Sequence, residues 1–190
     1  ATLSPESYGY DPILFAAIMK NNEEAAEGGS SEEGEEKMPE FCIGYLATES
    51  FDMSAQFVIE DQIKQFVDAG ITDLILDLRF NVGGAVPQSR YLSSAIAGRA
   101  HDNDIFFKAE YVDGRKEDWT FGYGYASTPD GLERAPELGL NRLFVIVSEN
   151  TASASELLIN GLRGIDFPVT IIGSRTEGKN VGMVVSTISY

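Results

Sequence analysis

Leu74-Ile75-Leu76-Asp77-Leu78-Arg79-Phe80-Asn81-Val82-Gly83-Gly84 decides how this 190-residue chain is read. Its first five residues are almost continuously apolar, the pattern of a strand buried on both faces of a sheet. The run ends in paired glycines, where backbone can turn and approach a ligand without side-chain obstruction. A helix pattern carrying Tyr91, Leu92, Ala95 and Ile96 follows, closed by Gly98. Strand, glycine turn and helix make one α/β unit.

The same texture extends to both sides. Phe41–Ala47 reads as a strand, and Met53–Ala69 as a helix ended by Gly70, with Phe57, Val58, Ile63, Phe66 and Val67 on its apolar face. Downstream, Ile105–Val112 and Trp119–Tyr125 read as strands, and Ser127–Leu140 as a loop punctuated by Pro129, Gly131, Pro136 and Gly139. Leu143–Val147 is another buried strand, Ala154–Arg163 a helix and Val169–Ile172 a strand before Gly173. This succession predicts a layered α/β core over residues 41–190. No internal repeat is evident. Val181–Tyr190 is strand-like and lacks terminal punctuation, so the natural polypeptide is expected to continue past it.

Upstream, residues 1–20 are expected to hold a short helix over Asp11–Lys20, with Asp11 as cap and Pro12 in the first turn. Residues 21–40 carry eight Glu against one Lys and almost no large apolar side chain, which predicts an acidic, disordered loop or linker. The whole chain has a net charge of -16, which argues against a nucleic-acid or anionic-membrane surface and disfavours an anionic ligand. No apolar run is long enough to span a bilayer, and no leader pattern opens the sequence. The single cysteine, Cys42, lies in an apolar run and is expected in the core.

Three segments carry chemistry. In Thr151-Ala152-Ser153-Ala154-Ser155-Glu156, Ser153 follows a buried strand and heads an apolar helix face of Leu157, Leu158 and Leu162. Its hydroxyl is therefore expected at a helix N-terminus, where amides favour developing negative charge, and the Ala154 amide could hold an oxyanion. The same residues fit a capping box, in which serine and glutamate satisfy orphan amides reciprocally. In Thr176-Glu177-Gly178-Lys179, Lys179 is either a surface charge or a general base. A lysine is a base only when neutral, which requires surroundings that depress its ordinary pKa of about 10.4. The turn at Gly83-Gly84 could add a second oxyanion donor, or serve only as a tight turn, with Asp77 and Arg79 as a structural ion pair.

Two other readings are weaker. Gly173-Ser174-Arg175-Thr176-Glu177-Gly178-Lys179-Asn180 approaches a phosphate-binding P-loop, but Asn180 stands where Ser or Thr would hold magnesium and a β-rich run follows. No nucleotide is expected. His101, the only histidine, sits in a polar turn, so a serine–histidine partnership has little to work with.

Taken in this order, the three segments resemble the carboxyl-terminal processing peptidases, or tail-specific proteases, over roughly Phe41 to Val185. The resemblance implies a crotonase-like α/β fold shared with the ClpP protease, Ser153 as nucleophile, Lys179 as base, and the amides of Ala154 and of Gly83 or Gly84 as oxyanion hole. It implies a flexible polypeptide substrate, no cofactor or metal, and a periplasmic or otherwise exocytoplasmic setting. Two positions depart from the family pattern: Met183 stands where many members have a glutamine that orients the lysine, and Glu177 where an aromatic is common. A PDZ domain, which many members use to hold substrate tails, is not evident and either lies outside this sequence or is lacking. The expected function is a Ser/Lys serine endopeptidase; the alternative is a non-catalytic peptide-binding relative.

Overall fold

A computed structural model describes residues 11–21, 41–53, 56–122, 127–128, 131–132 and 134–183. In chain order the elements are β1 (Ile13–Lys20), β2 (Cys42–Thr48), α1 (Gln56–Ala69), β3 (Asp73–Asp77), α2 (Val86–Ala97), β4 (Ile105–Glu110), β5 (Lys116–Thr120), β6 (Ser127–Thr128), β7 (Gly131–Leu132), β8 (Leu143–Val147), α3 (Ala154–Gly164) and β9 (Val169–Gly173). A five-stranded sheet runs in the order β1-β2-β3-β8-β9. β2, β3, β8 and β9 are parallel, and β1 is antiparallel at the edge. Parallel neighbours need crossovers, which α1, α2 and α3 supply in turn. The result is the mixed α/β core that the sequence predicts.

Side chains alternate along the strands with a period of two. Leu46, Leu74, Leu76, Leu143, Val145 and Val147 point into the core, together with Ile59, Ile63 and Phe66 of α1, Leu92 and Ile96 of α2, and Leu158 and Leu162 of α3. Each such side chain contributes about 1.5–3 kcal/mol on burial. Tyr45, Ile75, Phe144 and Ile146 project to the opposite face and are only half-buried. β4 and β5 form a separate hairpin, whose Phe106 ring is so close to Gly161 that a Cβ there would lie 2.4 Å from it.

Three expectations need correction. Residues 13–20 form a strand, not a helix: Ile13 N–H donates to Asp11 Oδ1 at 2.8 Å, and Ile13 to Lys20 pair with Thr48 to Cys42. A lone helix this short is marginal in water, whereas the free edge of β2 offers a full ladder of partners. In α1 the buried face is Ile59, Ile63 and Phe66; Phe57 and Val67, expected inside, are 45% and 38% exposed. The expected strand Trp119–Tyr125 is displaced toward the N-terminus, as β5. The acidic segment 22–40, residues 1–10 and the strand-like end 184–190 lie outside the described residues.

The topology places the site. Because β3, β8 and β9 are adjacent and parallel, the segments that follow them leave the same edge of the sheet. Those segments contain Gly83-Gly84, Thr151-Ala152-Ser153 and Thr176–Lys179. Carboxyl ends of parallel strands are where open α/β sheets hold ligands.

Candidate active site

Ser153 is the N-cap of α3 and adopts φ 56° and ψ -117°, a conformation that L side chains rarely take. Holding a non-glycine residue there costs about 1–3 kcal/mol, which the surrounding contacts must offset. Ser153 is half-buried. Ser155, two residues on, is fully buried, and its hydroxyl donates to Asn81 Oδ1 at 2.9 Å. Of the two serines in the motif, Ser153 is the one presented to solvent.

Gly83 lies directly against it. A Cβ at Gly83 would stand 2.7 Å from Ser153 Cβ, 2.8 Å from the Ala152 carbonyl oxygen and 3.0 Å from the Ala154 nitrogen. Its φ of 103° independently demands glycine. At Gly84 the obstruction is backbone: a Cβ would sit 2.3 Å from the Phe51 carbonyl oxygen. That closeness comes from a strand-like clamp in which Phe51 N–H donates to Gly83 O at 2.9 Å and Ala85 N–H to Phe51 O at 2.7 Å.

Glu156 joins the segments. Its Oε2 accepts the N–H groups of Ser153 and of Lys179, each at 2.9 Å. Its Oε1 accepts the Gly178 N–H at 2.6 Å and the Thr176 hydroxyl at 2.7 Å. The backbone nitrogens of Ser153 and Lys179 therefore lie within two hydrogen-bond lengths of each other across a shared oxygen. A further bond, from Glu177 N–H to Thr151 O at 3.0 Å, runs alongside. Burial, the largest single influence, pushes the Glu156 pKa up, but the four hydrogen bonds together outweigh it and hold the carboxyl below its ordinary range.

The sequence identifies Glu156 only as half of a capping box. That half is present in its bond to the Ser153 N–H. Its larger role is hidden from local pattern, since three of its four donors come from residues 176–179. The Lys179 side chain is half-buried, and no hydrogen bond joins its ammonium to the Ser153 hydroxyl among the described residues. The Glu177 side chain and Met183 are exposed.

The oxyanion donors differ in availability. Gly83 N–H donates to Asn81 Oδ1 at 2.8 Å, so it is already engaged. The amides of Gly84 and Ala154 meet no protein acceptor among the described residues. Ser89 Oγ fixes the first turn of α3 by donating to the Ala154 carbonyl at 2.7 Å.

The other sequence candidates fall elsewhere. Asp77 is buried and takes Arg79 Nη2 and Tyr45 Oη at 2.6 Å each, so the pair is structural. His101 pairs with Asp104 at 2.9 Å within its own turn. Cys42 is buried. Residues 175–183 form no helix after Gly173, unlike the strand-to-helix setting of a P-loop.

Residues 42–189 match the family model described as "Peptidase family S41". This chain belongs to peptidase family S41. Among S41 relatives, the chloroplastic carboxyl-terminal-processing peptidase 1 of Arabidopsis thaliana is 27% identical over 139 residues, which are 73% of this chain and 25% of that protein. A Bacteroides fragilis structure described as an S41 protease aligns with a TM-score of 0.68 and 23% identity, over 90% of this chain and 40% of the other. The photosystem II D1 C-terminal processing protease aligns with a TM-score of 0.60 and 22% identity, over 89% of this chain and 38% of that one. These structures share the fold. The S41 chain thus spans about a quarter of the curated relative and two fifths of the two structures.

Proposed function

We propose that this S41 chain is the catalytic portion of a serine peptidase in which Ser153 attacks a peptide carbonyl and Lys179 takes its proton. The observation that carries the reading is the shared Glu156 oxygen, which ties the backbone of Ser153 to that of Lys179. Strain at Ser153 supports it, because sharp turns of this kind project a nucleophile clear of its helix. The oxyanion would sit against the amides of Ala154 and Gly84, with Gly83 joining if it exchanges Asn81 for substrate. As the C–N bond breaks, the lysine ammonium gives its proton to the leaving amine, and the lysine, neutral again in the acyl-enzyme, takes a proton from the water that releases the acyl group.

The substrate we propose is a flexible polypeptide cut near its C-terminus, by analogy with the processing peptidases that the chain resembles. By the same analogy its setting is exocytoplasmic, and any PDZ domain belongs to a part of the protein outside these 190 residues. Ser153→Ala and Lys179→Ala should each abolish cleavage of an unfolded polypeptide with the circular dichroism spectrum unchanged. Undiminished turnover in either variant contradicts the mechanism.

The alternative is a peptide-binding relative without a competent base, which the exposure of Met183 favours because nothing at that position orients Lys179. A fluorophosphonate separates the two: covalent labelling at Ser153 requires an activated hydroxyl, and a binding module stays unmodified.

A further inference from the structure

The two amides left for an oxyanion belong to segments far apart in sequence, and Asn81 is where those segments are joined. Asn81 is fully buried. Its Oδ1 accepts the Gly83 N–H at 2.8 Å and the Ser155 hydroxyl at 2.9 Å. Its carbonyl oxygen accepts the Ala152 N–H at 3.3 Å and the same hydroxyl at 3.2 Å. One residue therefore grips the glycine turn and takes hold of the chain on both sides of Ser153 and Ala154. The turn is also held by the Phe51 N–H, which donates to the Gly83 carbonyl at 2.9 Å. In a trans peptide the N–H points opposite to the C=O, so that bond aims the Gly84 amide away from Phe51. The Asn81 carboxamide nitrogen is buried with no partner among the described residues. Leaving a buried N–H group unpaired is unfavourable, and within this side chain only the oxygen makes bonds that offset it.

We propose that Asn81, through its Oδ1 and with Ser155 as its partner, is a positioning residue that sets the Gly84 amide relative to the Ala154 amide around the oxyanion. This rests on the reading of Ser153 as nucleophile, since that reading gives the two amides a charge to hold. Neither Asn81 nor Ser155 has exposed surface, so neither touches substrate; both act through the backbone that they hold. Two donors stabilise one oxyanion only when both meet it at hydrogen-bond distance. A misplacement of about 1 Å can lower turnover about 10²-fold. Because the oxyanion forms only on the way to products, that loss falls on kcat and leaves KM nearly unchanged.

The test is steady-state cleavage of an unfolded polypeptide, with circular dichroism and thermal denaturation run on every variant. Asn81→Leu, similar in size but without an acceptor, should lower kcat by about 10²-fold with little change in KM. Asn81→Asp keeps the oxygen and removes only the unpaired nitrogen, so it should recover most of that loss. Ser155→Ala deletes a single hydroxyl and decides the matter if the leucine variant does not fold. It should lower kcat by about tenfold alone and add little to Asn81→Leu, because both changes remove the same bond. Native kcat in Ser155→Ala or in a folded Asn81→Leu, with only the melting temperature reduced, overturns the positioning role. An Asn81→Asp protein no more active than Asn81→Leu overturns it too. A native protein that neither cleaves nor takes a fluorophosphonate at Ser153 sinks the peptidase reading and the positioning role with it, whereas an active native protein with unaffected Asn81 variants loses the positioning role alone.

Discussion

Glu156 and Asp77 are two buried carboxylates, 8% and 3% exposed, and they are bound in opposite ways. Asp77 is held mainly by side chains, the Arg79 guanidinium and the Tyr45 hydroxyl, with one backbone N–H from Arg79. Glu156 takes three of its four hydrogen bonds from backbone N–H groups, on either side of a gap of more than twenty residues. A guanidinium that is 48% exposed can swing into water when its partner is lost. Backbone amides cannot move without moving the chain. The contrast separates a carboxylate bound mainly by side chains within the sheet from one that ties the backbone of Ser153 to that of Lys179.

The comparison is broken most severely at Gly83. Gly83→Ala should lower kcat by about 10²–10³-fold, since it moves Ser153 and the Ala154 amide, and thermal denaturation should show a loss of about 1–3 kcal/mol from overpacking alone. Wild-type kinetics would mean that the wall can relax. Glu156→Gln comes next. Its amide group must face N–H donors that formerly met an acceptor, so stability should drop by about 1–3 kcal/mol and kcat should fall markedly with little change in KM. If only stability falls, Glu156 steadies the fold and has no part in positioning Lys179.

Asp77→Asn sharpens the contrast from the other side. Urea denaturation should show a loss of about 1–2 kcal/mol, with kcat preserved. The smallest effect is on pH dependence. Burial raises the pKa of Asp77, but hydrogen bonds from Arg79 and Tyr45 outweigh it, so both carboxylates have folded values below their unfolded ones. Their contribution is fully present above the unfolded values of about 3.9 and 4.3, and is lost as pH falls through the lower folded values. Acid titration of stability should therefore lose part of its slope in either variant, while the acid limb of activity should change only in Glu156→Gln.

Much of this is legible in the residues themselves. Leu143–Val147 coincides with β8, because an unbroken apolar run between turns has few other outcomes when both faces are covered. Gly98, at φ 76°, ends α2 as expected. β1 is illegible as a strand, because its alanines, methionine and lysine suit a helix and only the edge of β2 decides otherwise. Ser153 and the glycine pair can be found from motif order. The engagement of the Gly83 amide by Asn81, and the convergence of 176–179 on Glu156, depend on distant segments meeting, which local pattern does not encode.

The central claim is that Ser153 is activated by Lys179 across the Glu156 bridge. The rate of fluorophosphonate labelling at Ser153, followed by mass spectrometry from pH 6 to 10 in the native protein and in Lys179→Met, tests it most directly. Labelling should rise with pH in the native protein and fall by about 10²-fold or more in the variant. Equal rates in both proteins across the range would contradict it.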